Sequence, residues 1–88
     1  MKVYKYILIL IIFPLVVFSK PSNDEIYTLY RNSVLDESMR LHVATFDAEN
    51  GKETHSYNMS NCMIAQELFQ NQPYVKTKFW CEKGKFRK

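Results

Sequence analysis

Hydrophobic and polar positions change rhythm four times along the chain. Residues 6–18 form a continuous apolar run of thirteen. MRLHVATFDA (39–48) then alternates with a period of two, the pattern of a half-buried strand. Met39, Leu41, Val43 and Thr45 make one face and Arg40, His42, Ala44 and Phe46 the other. NMSNCMIAQELFQNQP (58–73) predicts a helix. Asn58 and Ser60 are good N-caps, Gln66, Glu67 and Leu68 are good helix formers, and Pro73 pushes the preceding residue out of the α region. Its apolar face is expected to hold Cys62, Ala65, Leu68, Phe69 and Gln72. YVKTKFWCEKG (74–84) alternates again, with Val75, Thr77, Phe79 and Cys81 on one side and Tyr74, Lys76, Lys78, Trp80 and Glu82 on the other.

Two segments need a choice. EIYTLYRNS (25–33) is rich in β-branched and aromatic residues and reads as a strand, although Pro21, Ser22 and Glu25 would also suit a helix start with a capping box. Asp36-Glu37-Ser38 supplies a turn that pairs this strand with the next, which favours the strand. Asn50-Gly51 marks the main loop, residues 47–57. The order is β-β-α-β. The fold class is therefore α+β: a three-stranded antiparallel sheet with one helix on one face, the other face being open unless a partner or a second copy covers it.

The apolar run changes meaning with its flanks. Lys2 and Lys5 precede it and Val17-Phe18-Ser19 follows, the three-part form of a secretory signal peptide cleaved after Ser19. A membrane anchor needs about 18 apolar residues or more. Thirteen is short, and Pro14 interrupts the run, so no stable transmembrane anchor is expected. The remaining residues, 20–88, make one small domain, placed in the periplasm or outside the cell. With 47% hydrophobic and 15% aromatic residues, the composition argues against disorder, and 88 residues leave no room for a deep cofactor cleft.

Cys62 and Cys81 both lie in the mature part, where only one pairing exists. A short connection makes the helix and the last strand antiparallel, so both thiols fall on apolar faces that meet. No CxxC is present, and His42 and His55 have no ligand-like spacing to either cysteine, so neither a redox motif nor a metal site is read here, and no cofactor.

Charge is placed unevenly. Residues 20–75 carry four Lys and Arg against eight acids, and residues 76–88 carry six against Glu82 alone. Strand alternation would gather Arg40, His42 and Phe46 with Lys76, Lys78 and Trp80 on the sheet face away from the helix, neighbours on one strand being about 6.6 Å apart. Cations interleaved with aromatics suit an anionic partner, although lysines on an open sheet also serve simply to solvate it and to discourage aggregation. The basic tail, residues 83–88, either lies on an anionic surface or frays into solvent. His42 has no nucleophile motif beside it, His55 is expected to be solvated, and Asn58-Met59-Ser60 matches a glycosylation sequon that doubles as a helix cap. The expected role is a non-catalytic binding or envelope-associated module, with an anionic envelope component or a protein as partner and no nucleic acid. A secreted effector or inhibitor is the alternative, and a small hydrolase the remotest one; the oligomeric state is open.

LYRNS, MRLHVATFDA, NC…A…LF…QP…V and FWCEKG together resemble a group of small exported bacterial proteins of unknown function. The resemblance spans residues 26–87 and implies export and a single fold, with no mechanism attached.

Overall fold

The computed structural model describes residues 20–88; the expected signal peptide, residues 1–19, lies outside them. A short 3-10 turn, Asn23–Glu25, leads into β1 (Tyr27–Arg31). β2 (Leu41–Phe46), a second 3-10 turn (Gly51–Glu53), α1 (Thr54–Gln70) and β3 (Phe79–Lys83) follow. The strands lie in the order β2-β1-β3, both pairs antiparallel. This is the α+β sheet with one helix that the alternation predicts.

Both readings of the first segment hold in part. A capping box joins Ser22 and Glu25, with Ser22 N donating to Glu25 Oε1, yet the Glu25 N bond to the Ser22 carbonyl closes only one 3-10 turn and the chain then extends. β1 is central, and residues Tyr27 to Tyr30 are buried on both of its faces. The Ser33–Met39 turn feeds β2, with Asp36 Oδ1 accepting from Ser38 N (3.0 Å) and Ser38 Oγ (2.7 Å).

Regular alternation fails at one step of β2. Tyr27, Thr28 and Leu29 pair with Phe46, Thr45 and Ala44, but Tyr30 pairs with His42, so a bulge at Val43 shifts the register. An extra residue reverses the parity of everything beyond it. Ala44 and Phe46 therefore pack against the core beside Tyr27, Leu29 and Cys62, and Thr45 turns outward.

The helix differs from expectation at its start and in its rotation. It begins at Thr54, whose hydroxyl accepts from Asn50 N (2.9 Å) and donates to the Gly51 carbonyl (2.8 Å). Asn58 is inside the helix, not at its cap, and is 1% exposed. Its Nδ2 donates to the carbonyls of Glu25 (2.9 Å) and Ala48 (3.0 Å), and its Oδ1 accepts from Ala48 N (3.1 Å). That anchor and Cys62 turn Thr54, Asn58, Cys62, Ala65 and Phe69 toward the sheet. Leu68 follows Cys62 by six residues, about 240° round the helix, and so cannot share its face. It is 67% exposed, and Gln72 is exposed as well.

The Cys62–Cys81 disulfide joins the middle of α1 to the middle of β3, with Cα atoms 6.2 Å apart. The last strand is shorter than its alternation suggests. Residues 74–78 lie outside it, Tyr74 has φ +68°, and pairing with β1 begins only at Phe79. Carboxamides hold the irregular backbone before it: Lys78 N donates to Asn32 Oδ1 (2.8 Å) and Gln70 Nε2 to the Thr77 carbonyl (3.0 Å).

Candidate binding face

Parity along β1 and β3 places Tyr30 and Trp80 side by side on the face away from α1, with Glu82 next along β3. Their rings stack at 5.9 Å between centroids. Arg40 lies just before β2 and folds its guanidinium over the Tyr30 ring, 4.4 Å from the centroid. From there Arg40 Nη1 donates to Glu82 Oε2 at 2.6 Å, and Trp80 Nε1 donates to the same oxygen at 2.7 Å. His42 is on this face too, its Nε2 hydrogen-bonded to Thr45 Oγ1 (2.7 Å).

The charge of this network is fixed by its contacts. Burial pushes the Glu82 carboxyl upward, but the Trp80 N–H, the Arg40 hydrogen bond and the nearby guanidinium charges outweigh it and hold the group below its ordinary range. The same contact with Glu82 raises Arg40, the desolvation of its partly covered guanidinium opposing less. Arg40 Nε is buried with no hydrogen-bond partner among the described residues.

The tail is part of the face. Gly84 takes φ +106°, a conformation that suits glycine, and a Cβ there would stand 3.1 Å from the Asn23 side-chain amide. Its N–H donates to the Ile26 carbonyl and its carbonyl accepts from Thr28 Oγ1 (2.7 Å). The chain so redirected runs back over the sheet. Phe86 packs on Tyr30 (5.9 Å) and His42 (4.9 Å), and Arg87 N donates to the Tyr30 hydroxyl (3.1 Å). The Arg87 side chain is 72% exposed and only 3.8 Å from Glu82, a weak surface pair. A frayed terminus is thus replaced by a docked one, and the sheet face is partly covered by its own chain.

Of the six residues expected together, Arg40, His42 and Trp80 do meet. Phe46 is on the helix side because of the bulge. Lys76 and Lys78 precede the strand and line a hollow of about 360 Å³ with Asn32, Ser33, Val34 and Glu37. Alternation already puts Glu82 on the Trp80 side; Tyr30, Phe86 and Arg87 are the members of the face that pattern reading did not place there. The β1–β3 register, which no local pattern carries, sets Tyr30 beside Trp80.

The remaining candidates are engaged structurally. His55 Nε2 is hydrogen-bonded to the Tyr27 hydroxyl at 2.8 Å, so it is not a solvated loop residue. Asn58, the sequon asparagine, has its amide used inside the fold and closed to a glycan. Among the described residues no group of three His, Cys, Asp or Glu could hold a metal ion, and no helix is long and apolar enough to cross a membrane. No protein-family model, curated protein or solved structure matches this chain, so what the face can bind rests on its own chemistry.

Proposed function

We propose that the chain is an exported binding module without catalytic activity, and that the sheet face opposite α1 contacts an anionic component of the cell envelope. The observation that carries this reading is the docking of Phe86 and Arg87 over Tyr30, His42 and Arg40, with Trp80 stacked on Tyr30, which merges the basic tail and the aromatic face into one surface. Export is supported by the charged, apolar and small-residue succession of residues 1–19 and by the pairing of both cysteines in a domain of this size.

Arg40 is neutralised by Glu82, so the attraction falls to Arg87 with Lys85 and Lys88, each cation near an anionic surface contributing about 1 kcal/mol. Such binding is weak and salt-sensitive. Trp80 is the chain's only tryptophan and reports directly on the stack. Titrating the disulfide-intact protein with anionic vesicles and with lipopolysaccharide is expected to shift its fluorescence, less so as salt rises. Arg87→Glu is expected to weaken the effect more than Lys52→Glu, which lies before α1. No response to either anionic probe at low salt, or an equal response to neutral vesicles, overturns the reading.

A further inference from the structure

The hollow of about 360 Å³ beyond the end of β1 is built from two irregular segments, the turn after β1 and the stretch before β3. One buried side chain fixes them to each other. Asn32 is 8% exposed; its N–H donates to the Lys78 carbonyl (3.1 Å) and its Oδ1 accepts from Lys78 N (2.8 Å). Its Nδ2 donates to the Glu37 carbonyl (3.4 Å), so the same residue holds the backbone of both walls. Each wall is also tied within itself or to α1. Ser33 N and Asp36 N donate to each other's carbonyls, and Gln70 Nε2 donates to the Thr77 carbonyl (3.0 Å). The hollow is therefore formed before anything enters it, which lowers the ordering cost of binding.

Its lining is bipolar. Lys76 and Lys78 come from one segment and Glu37 from the other, yet among the described residues no ion pair joins either lysine to Glu37. Ser33 Oγ accepts from Leu35 N (3.1 Å), and its own O–H has no acceptor among the described residues. Val34 is the one apolar residue of the lining. A simple anion would meet the Glu37 carboxylate there, and a simple cation would meet two lysines. A molecule with an acid group at one end and an ammonium at the other answers both. Two lysines and a hydroxyl donor suit the multiple charge and the several acceptor oxygens of a phosphate better than the single charge of a carboxylate. The lining sums to +1, and a phosphate monoester bearing an ammonium carries close to −1 at neutral pH.

We propose that this hollow is a binding site for an aminoalkyl phosphate, with Lys76, Lys78 and Ser33 on the phosphate, Glu37 on the ammonium and Val34 beside the short carbon link. Its volume lies at the small end of the range for small-molecule sites, roughly 300–1,000 Å³. Both lysines and Glu37 are exposed, so water screens each contact and the affinity falls in the millimolar range. The site shares no residue with the Tyr30–Trp80 face and stands independently of what that face binds.

Amide NMR shifts of the disulfide-intact protein, followed at low salt and neutral pH, test it. Adding phosphoethanolamine is expected to move the amides of Ser33, Val34, Lys76 and Lys78. Inorganic phosphate should bind about two- to fivefold more weakly, the scale of one exposed charge pair, and ethanolamine should move none of them. Lys76→Gln and Lys78→Gln should each weaken phosphoethanolamine by a similar factor. Glu37→Gln should erase its advantage over phosphate, while Lys52→Gln, outside the hollow, should change nothing. These side chains are exposed, so the substitutions leave the fold intact. Glycerophosphoethanolamine separates two sources of the same chemistry: weaker binding than phosphoethanolamine assigns a free monoester, equal or tighter binding a lipid headgroup. No movement of these amides at concentrations on the order of tens of millimolar overturns the proposal. So does equal binding of phosphate and phosphoethanolamine, or a preference that survives Glu37→Gln.

Discussion

A buried side-chain amide joins three parts of the chain that share no regular ladder. Asn58 bonds the turn before β1 through Glu25 and the segment after β2 through both backbone groups of Ala48. Removing it leaves buried donors and acceptors without partners, at about 1–3 kcal/mol for each unsatisfied group. Asn58→Ala is expected to lower stability by about 2–4 kcal/mol, read as the shift of the urea midpoint. Asn58→Asp should be worse, because both contacts made by Nδ2 are to carbonyl oxygens, which a carboxylate repels. An aspartate variant as stable as the parent would show that these contacts contribute nothing. Asn58 attracts notice in the sequence as a cap, so its importance was legible while its role was not. Capping propensity is local, whereas its three partners lie ten and thirty-three residues away.

At the scale of elements the disulfide dominates. Among the described residues five hydrophobic side chains are buried, too small a core to hold a domain of this size comfortably. Closing the loop from Cys62 to Cys81 contributes about 3 kcal/mol by chain entropy. Cys62→Ser with Cys81→Ser, or added reductant, should therefore lower stability by roughly 2–5 kcal/mol and the melting temperature by about 10 °C or more. Equal melting curves with and without reductant would contradict this. The pairing, the three strands and the helix were all legible, because period and cysteine count are properties of short windows. The Val43 bulge was not, since it exists only in the register between strands, and it alone moved Phe46 from one face to the other. The length of β3 was misjudged for a related reason: residues 74–78 alternate, but Gln70 and Asn32 take the backbone groups at Thr77 and Lys78.

Over the whole molecule, the acidic body and the basic end meet at Glu82, the single acid among residues 76–88. Its carboxylate ties Arg40 to β3 and lies close to Arg87, so its ionisation helps hold the end of the chain against the sheet. Its folded-state pKa is depressed, so the unfolded chain takes up the proton first. The stability it contributes is present above the ordinary glutamate range, near 4.3, and is lost as pH falls through that range and below. Urea midpoints measured from neutral pH downward should fall below about pH 5. Glu82→Gln, with no carboxyl to titrate, should show a flatter acid limb. Equal acid limbs would mean that the pair is too well solvated to matter.

The placement of β1 between β2 and β3 also bears on timing. Tyr27 pairs with Lys83 and Thr28 with Glu82, so the central strand waits for partners more than fifty residues later. Until those residues are free, β1 has one neighbour, the second thiol has no place to bond, and the rings of Tyr30 and Trp80 cannot stack. Such long-range closure is slow and comes all at once. A chain emerging end first from a narrow channel would therefore stay pliable for nearly its whole passage and lock only when its last strand had cleared the opening.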